Sequence, residues 1–454
     1  MCCAATAPVT TPAPAPGRIM AGMSTIQIAT ADRARDVALS VRTLRLEEHV
    51  DLGGHVPRDA SAAWIHHGQG MVARGEAVRI TASGPGRFAD AGAAFRALAE
   101  RAVVDDEVSV RGSGLVSFGT FSYADSSPRP STLIVPTAVL GSVDGEAFLT
   151  LITATRRPDA PPVLPPARDW RELFSAVPDG PRARIELDPD HAPDDYQGLV
   201  ARAVAHIRAG DAGKIVLSES STATADVPLE PAVLLRRLTM RYPSTWVYRV
   251  ADVIGASPEM LAQTEGGRVF SRVLAGSRPV ADGEELAEQD RRAFRTDAKE
   301  REEHRFAIDS VTERLAGLAE DVAASPEPFV LRLPGIEHLA SDVSARLRED
   351  VTSLDVAARL HPSAAVSGTP REAADRIIGQ LEPRDRGGYA SPVGWMDAAG
   401  DGQWAIALRM AHLVDEHTVR LQAGGGLVAA SDPVTEHAEV LAKYRPMLSA
   451  LRGA

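Results

Sequence analysis

The chain is poor in the residues that build disulfides, nucleic-acid interfaces and membrane spans. Its only cysteines, Cys2 and Cys3, are adjacent near the N-terminus, which excludes a disulfide framework and a cysteine zinc site. The formal net charge of −12 gives no overall attraction for nucleic acid or an anionic membrane. No run approaches the roughly 18 uncharged apolar residues of a membrane helix. We therefore expect a protein of the reducing cytoplasm that binds neither nucleic acid nor membrane.

Two common catalytic signatures are missing as well. The chain contains neither Gly-x-Ser-x-Gly nor His-Glu-x-x-His, so a serine hydrolase or a zinc protease has no support. Residues 1 to 22 are rich in proline, alanine and threonine and lack the apolar run of a signal peptide, which predicts a disordered tail. The folded part is expected to extend from residue 23 to residue 454.

The order of elements predicts a chain that mixes strands and helices. Residues 24 to 155 show strand-like alternation, as in AVRITASG and EAFLTLITAT. A proline-rich segment, 156 to 169, follows and is the best candidate for a boundary. Beyond it, helical spacing is found at 195 to 210, 231 to 242 and 296 to 322, and a last helix begins near Asp432.

Two Glu-x-x-Glu pairs stand out in this acidic chain, Glu300 with Glu303 and Glu436 with Glu439. The first pair extends, by one turn, an apolar stripe that runs from Ala307 to Val322. On a solvated face such pairs are only slightly unfavourable, and many exposed helices carry them. Brought together from two helices, they would supply the oxygen ligands that Mg²⁺ prefers. The spacing alone leaves both interpretations open.

Five other features have a structural and a functional interpretation. The run AGGGLV, 423 to 428, follows a strand and could be a tight turn or an anion-binding backbone. Arg409 lies in an apolar strand, where burial would require a carboxylate partner. Lys214 and Glu259 are either strand-end charges or a catalytic pair, and a catalytic lysine would need a lowered pKa. His361 precedes a proline in a loop, where a structural role is the commoner one.

Taken in order, nine motifs resemble those of the chorismate-utilising enzymes, the family of isochorismate, salicylate, anthranilate and aminodeoxychorismate synthases. The resemblance covers roughly residues 195 to 452, and the motifs read KIVLS, GASPEML, VLAGSRP, KEREEH, HPSAAVSGTP, LEPRDRGGYASPVGW, WAIALRMA, LQAGGGLV and SDPVTEHAEVLAK. The resemblance implies one large α/β (α+β) domain with two stacked antiparallel sheets and helices outside. It therefore argues against dividing the chain at the proline-rich segment.

The resemblance also implies roles for individual residues. Lys214 would be the general base that activates water, and Glu259 the acid that protonates the departing hydroxyl. Glu303 and Glu439 would bind Mg²⁺ directly, with Glu300 and Glu436 in support. The residues expected to hold chorismate are Gly276 and Ser277 at the ring carboxylate, Tyr389, Arg409, Gly424, Gly426 and Lys443 at the enolpyruvyl carboxylate, and His361 in the pocket.

Within the family the motifs most resemble isochorismate synthases of the actinobacterial type. His361-Pro362 and Ala365 stand where anthranilate and salicylate synthases typically carry Phe-Pro and threonine. Salicylate synthase remains the alternative, followed by anthranilate-type activity, which would involve a glutaminase partner that we do not expect here, and by a catalytically silent homologue. Two residues depart from the family pattern, Glu219 in place of an arginine and Ser391 in place of a glycine. Isochorismate feeds menaquinone, siderophores and salicylate-derived products, and the motifs do not select among them.

Overall fold

The computed structural model of the protein describes residues 25–156, 163–190, 192–280, 288–333 and 336–453. The side chains of seven further residues lie outside the description: Pro193, Ser277, Pro279, Lys299, Glu303, Leu333 and Ile336. The tail expected at residues 1 to 22 also lies outside it. Within the described ranges, no helix is both long enough and apolar enough to cross a bilayer.

Strands dominate the chain, and β-branched and aromatic residues fill most of them. The strands are β1 (Ile26–Ile28), β2 (Ala38–Leu46), β3 (Ala60–His66), β4 (Gln69–Arg74), β5 (Val78–Ala82), β6 (Val103–Asp106), β7 (Val116–Thr120), β8 (Ser131–Val135), β9 (Ala138–Val143), β10 (Glu146–Thr155), β11 (Ile185–Pro189), β12 (Lys214–Ala225), β13 (Trp246–Val250), β14 (Val253–Ser257), β15 (Met260–Glu265), β16 (Arg268–Pro279), β17 (Ala319–Ala324), β18 (Phe329–Leu333), β19 (Ile336–Leu347), β20 (Gly368–Thr369), β21 (Pro392–Asp397), β22 (Gly402–Ile406), β23 (Met410–Leu413) and β24 (Thr418–Leu427).

The helices begin at ordinary start signals, since several carry a capping side chain or a proline in the first turn. They are α1 (Ala31–Arg35), α2 (Arg87–Ala99), α3 (Trp170–Leu173), α4 (Pro193–Arg208), α5 (Pro231–Arg241), α6 (Glu288–Thr296), α7 (Ala298–Leu315), α8 (Ser353–Leu360), α9 (Arg371–Leu381), α10 (Pro433–Lys443) and α11 (Arg445–Arg452). In α10 the Asp432 side chain accepts a hydrogen bond from Thr435 N, as the sequence predicts for an N-cap.

The strands form one sheet of 11 strands and one of 13. The described pairings are antiparallel except for β1 with β5 and β2 with β6, which are parallel. Both sheets combine strands from either side of the proline-rich segment. In the larger sheet β3 pairs with β13, and in the smaller one β7 pairs with β21. The expected architecture of two large stacked sheets with helices outside is therefore confirmed.

The core consists of two apolar layers. The inner layer lies between the sheets and joins Phe118 and Trp404 of the smaller sheet to Tyr248 of the larger one. The Trp64 indole crosses this layer and donates to the Gln403 side chain at 2.7 Å. The outer layer lies between the larger sheet and helices that include α4, α5, α10 and α11. The larger sheet therefore lies between the two apolar layers, and β12 and β24 are two of its strands.

Three local predictions differ from the structure. The glycines of AGGGLV lie inside β24 and do not form a loop, because strand pairing with β12 needs their close approach. Arg409 does not continue a strand; it has a φ of 49° and separates β22 from β23. Helix α7 ends at Leu315, so Leu318 and Val322 pack on the same core from a turn and from β17. The apolar spacing of the sequence continues past the end of α7 because the helix and the segment after it pack against the same core.

Candidate active site

A lysine at the start of β12 and a glutamate between β14 and β15 form the centre of the candidate site. Lys214 is the first residue of β12 and pairs with Thr369 of β20. Glu259 lies between β14 and β15, where its backbone N–H donates to the Ser257 hydroxyl at 3.2 Å. Burial raises the pKa of the Glu259 carboxyl to about 7, and the positive charge of Lys214 opposes that rise. The two groups are therefore close enough to interact, and the carboxyl is partly protonated near neutral pH.

Glycines in β24 leave room for the side chains around this pair. A Cβ on Gly426 would lie 2.8 Å from the Lys214 Cε atom. A Cβ on Gly424 would lie 2.5 Å from the Leu217 carbonyl oxygen and 3.0 Å from the Tyr389 hydroxyl. Contacts below 3.0 Å cannot be accommodated without movement. We infer that glycine is required at both positions so that the lysine and the tyrosine can approach the strand.

Tyr389 and Arg409 extend the site from Glu259 towards α10. Tyr389 is 3% exposed, and burial raises the pKa of its phenol, with the nearby charge of Glu259 acting in the same direction. Burial lowers the pKa of Arg409, while the charges of Tyr389 and Glu439 counteract that effect. The left-handed backbone of Arg409 turns its guanidinium towards these groups. The arrangement offers a cation and a phenol to an anionic ligand.

Helix α10 contributes a lysine and a glutamate. The Lys443 ammonium donates to the Gly424 carbonyl oxygen at 2.8 Å and pairs with the Glu439 carboxylate at 2.8 Å. The Glu439 side chain is 55% exposed, so one side of it faces solvent or a ligand. Lys443 and Glu439 thus lie next to β24, the strand whose Gly426 is close to Lys214.

The opposite wall is built around a bulge at Gly276. The pairing of β16 with β19 shifts between Ala275 and Ser277, and Gly276 adopts a φ of 76° that favours glycine. A Cβ there would lie 3.0 Å from Oε2 of Glu300, which places the glutamate of α7 against the bulge. The bulge therefore brings the Gly276 backbone and the Glu300 carboxylate together. The side chains of Ser277 and Glu303, both expected here, lie outside the described ones.

One residue of this wall was not found by sequence reasoning. His338 pairs with Ser277 across the bulge. Burial lowers the pKa of its imidazole; a hydrogen bond with the Gly276 backbone opposes this, and the charges of Lys214, Lys443 and Arg409 add to it. His338 thus lies among the candidate residues of three other elements. The available signal was a histidine inside the strand-like run IEHLAS, which carries no catalytic pattern of its own.

Glu436 is placed differently from Glu439. Its Oε2 atom lies 3.5 Å from the position of a Cβ on Gly425, on the side of β24 that faces α10. Its Oε1 atom accepts a hydrogen bond from the Ser431 hydroxyl at 2.6 Å. Burial raises the pKa of this carboxyl, and the charge of Glu439 adds to the rise. A nearby cation would relieve that repulsion.

The donor set fits a hard divalent cation in its chemistry. Glu300 lies against the Gly276 bulge, Glu439 pairs with Lys443 beside β24, and Glu436 accepts a hydrogen bond from Ser431. No group of three potential metal ligands is found among the described residues, a set that leaves out the Glu303 side chain. Carboxylate oxygens are the ligands that Mg²⁺ prefers, and the ion itself remains a prediction.

His361 is placed apart from these residues. It is 4% exposed, its Nε2 atom lies 3.0 Å from the Tyr123 carbonyl oxygen, and its ring packs near Phe88 and Tyr123. Burial lowers the pKa of the imidazole to about 3. Its described contacts are thus with the first half of the chain, and the expected contact of His361 with a substrate remains a prediction.

The unusual Glu219 lies on the opposite face of β12 from Lys214, because the two residues are five positions apart and side chains alternate between the faces of a strand. It is 2% exposed, and its carboxylate lies 3.2 Å from Nε2 of His437 on α10. Burial raises the pKa of this carboxyl to about 7, and the charge of Asp190 adds to the rise. The reversed charge is therefore separated from the candidate site by the sheet.

Comparisons with known proteins identify the family of the chain. A family model described as chorismate binding enzyme matches residues 59–452. The chain is 37% identical over 280 residues to isochorismate synthase DhbC of Bacillus subtilis, covering 58% of this chain and 69% of that relative. It is 31% identical over 359 residues to isochorismate synthase MenF of the same organism, covering 75% of each. The structure of MenF, the menaquinone-specific isochorismate synthase from Escherichia coli, aligns with a TM-score of 0.74 at 21% identity, over 91% of this chain and 94% of that one.

Proposed function

The chain belongs to the chorismate-binding enzyme family, and on that premise we propose that it is an isomerase that converts chorismate to isochorismate. The observation that carries the proposal is that the charge of Lys214 acts on Glu259, a glutamate whose pKa burial raises to about 7. An acid that is protonated near neutral pH, next to an amine, is what addition of water and loss of a hydroxyl require.

The reaction balances with one water added and one water lost. Lys214 takes a proton from a water molecule whose oxygen bonds to ring carbon 2. The double bonds shift, the bond between ring carbon 4 and its hydroxyl breaks, and Glu259 gives its proton to the departing hydroxyl. The base and the acid act from opposite sides of the ring. After the two transfers Lys214 carries one more proton and Glu259 one fewer. Proton exchange with solvent then restores both groups.

The dianionic substrate must be held by a protein of net charge −12. We assign the enolpyruvyl carboxylate to Arg409, Lys443 and the Tyr389 hydroxyl, which lie beside the glycines of β24. The ring carboxylate is assigned to the backbone of the Gly276 bulge. Close approach of backbone at these glycines permits N–H groups to reach the carboxylates.

Mg²⁺ is proposed as the cofactor, held by Glu303 and Glu439 with Glu300 and Glu436 in support. The support comes from oxygen-only donors on two helices and from the mutual repulsion of Glu436 and Glu439. When bound, the ion would neutralise the glutamates together with the ring carboxylate.

Product analysis tests the proposal. The purified chain is incubated with chorismate and Mg²⁺, and the products are separated and identified. Isochorismate as the sole product supports it. Salicylate together with pyruvate would move the assignment to salicylate synthase, and unchanged chorismate would contradict any catalytic role. A Lys214→Ala variant serves as control, because it should retain the fold and lose turnover.

A further inference from the structure

A second cavity of about 430 Å³ shares no lining residue with the cavity that contains Glu259. It is bordered by the starts of β3 and β5, the end of β4, and the turn from β13 to β14. Arginine, serine and three carboxylates line it. It therefore lies at an edge where the two sheets meet, and it is polar.

The carboxylates of this cavity are already paired with other cations. The pairs are Asp59 with Arg74 at 2.9 Å, Glu76 with Arg79 at 2.5 Å and Asp252 with Arg129 at 2.7 Å. Arg249 also lines the cavity and takes part in none of these pairs. Burial lowers the pKa of its guanidinium to about 10, the charges of Asp59 and Glu76 oppose that change, and the group stays charged at neutral pH. The cavity and the cations paired with its carboxylates thus include four guanidiniums and three carboxylates, and Arg249 is the guanidinium outside the ion pairs.

Several donors at this cavity have no acceptor. The Nε and Nη1 atoms of Arg249 are enclosed and have no hydrogen-bond partner among the described residues. The same holds for the Ser61 hydroxyl, which lines the cavity, and for Nη1 of Arg129, whose Nη2 atom donates to Asp252 at 2.7 Å. Enclosed donors without an acceptor destabilise a fold, and an unmatched buried guanidinium does so strongly. Their concentration around one polar cavity indicates a missing acceptor that carries negative charge.

We propose that this cavity is a binding site for a small monocarboxylate, with Arg249 as its charged anchor and Ser61 as a second donor. A carboxylate accepts two parallel hydrogen bonds from one guanidinium, and the Ser61 hydroxyl would satisfy a remaining lone pair. A single negative charge matches the surplus of one cation. A phosphate dianion would bring a second charge among three carboxylates. The site is independent of the proposed catalytic function.

Acetate is the probe for this site. Binding is measured by calorimetry and by the melting temperature, with sodium acetate compared to sodium chloride at equal ionic strength. In the wild type we expect the heat of acetate binding to saturate with acetate concentration. We also expect a higher melting temperature in acetate than in chloride, because the ligand binds only the folded state. In Arg249→Gln we expect acetate affinity to fall about tenfold or more, because the charge-assisted bonds are lost.

Two further variants keep the test independent of folding defects. Ser61→Ala removes one neutral donor and should weaken acetate binding by about threefold. Arg42→Gln removes a positive charge from β2 of the same sheet, outside the cavity, and should leave acetate binding unchanged. Equal melting temperatures in acetate and chloride for the wild type would overturn the proposal. So would unchanged acetate binding in Arg249→Gln and Ser61→Ala, or an Arg249-dependent response to phosphate with none to acetate.

Discussion

Glu259 combines a buried position with a charged neighbour, and its ionisation decides whether the proposed reaction can run. Burial alone favours the neutral carboxyl, whereas Lys214 favours the carboxylate. The outcome is a pKa of about 7, so burial outweighs the lysine. A general acid needs this balance, because it must be protonated at the operating pH and still release its proton.

Glu259→Gln should be more stable than the wild type above pH 7. The folded-state pKa of Glu259 is raised, so the folded protein binds this proton more tightly than the unfolded chain does. Wild-type stability is therefore lost as the pH rises from about 4.5 to about 7, and the glutamine variant does not lose it. We expect a difference in the free energy of unfolding on the order of 2 kcal/mol at pH 8, reduced by solvent screening and smaller at pH 5.

Urea unfolding of both proteins at pH 5 and pH 8 measures this difference. A Glu349→Gln variant, at an exposed position, controls for the change in net charge. Equal stability of Glu259→Gln and wild type at both pH values would show that burial does not raise the pKa of Glu259.

Glu219→Gln should leave catalysis nearly unchanged. Glu219 faces α10 and His437 on the opposite side of β12 from Lys214, so its charge does not reach the substrate directly. We expect kcat and KM for chorismate within about threefold of the wild type, as for sites without shared partners. Steady-state kinetics checks this expectation. A loss of kcat beyond about tenfold, or about 1.4 kcal/mol, would mean that the reversed charge acts on Lys214 through the sheet.

Individual side chains show where sequence reasoning reached its limit. Lys214, Glu259 and Lys443 are recognisable from their motifs; in the structure the charge of Lys214 acts on Glu259, and the charges of Lys214 and Lys443 act on His338. His361 is recognisable too, but its direction depends on packing against Phe88 and Tyr123, which lie more than 200 residues away in the chain. His338 carries no motif and enters the site only through strand pairing with the bulge. Sequence motifs identify candidate site residues, whereas contacts between distant parts of the chain determine where their side chains lie.

Strand β24 explains why three consecutive glycines are needed in a regular element. Glycine weakens a strand because it adds backbone entropy and no packing. Here Gly424 and Gly426 face Tyr389 and Lys214, while Gly425 faces α10. The alternation of side-chain directions along a strand therefore divides the run into two glycines that face the candidate site and one that faces α10.

Gly426→Ala should impair turnover far more than Gly425→Ala. The new Cβ at position 426 would lie 2.8 Å from Lys214 Cε and would displace the proposed base. A displacement near 1 Å can cost about 100-fold in kcat/KM. At position 425 the nearest atoms would lie at 3.5 and 3.6 Å, which are ordinary contacts. Kinetics and melting temperatures of both variants provide the comparison, and equal kcat/KM values would contradict the assignment of Gly426.

Local patterns predicted most elements of the second half but not all of their ends. Helices α4, α5 and α10 begin and end within a few residues of the expected positions, because caps and glycines are local signals. The end of α7 was placed too late, since Leu318 and Val322 continue the apolar spacing from another element. Arg409 interrupts an apolar run without a glycine or proline, so no local signal marked the break.

The pairing of the strands was available only through the family resemblance. In the larger sheet β3 pairs with β13, about 180 residues later, and no local pattern specifies such a partner. The same pairing brings strands of the first half, which carry no catalytic motif, next to those that do. Composition and periodicity indicated a mixed fold; the nine motifs added two stacked sheets, which the structure confirms. The cavity lined by Arg249 lies between strands of the first and second halves of the chain. No local sequence motif predicts such a cavity, because it depends on the pairing of distant strands.

The central claim is that Lys214 and Glu259 exchange one hydroxyl for another by adding solvent water to ring carbon 2. Turnover of chorismate in ¹⁸O-labelled water, followed by mass spectrometry of isochorismate from the initial phase, tests it most directly. The account predicts one ¹⁸O atom in the product, at ring carbon 2, and loss of this reaction in Lys214→Ala. Isochorismate that carries no label would show that the hydroxyl migrates within the substrate and would contradict the account.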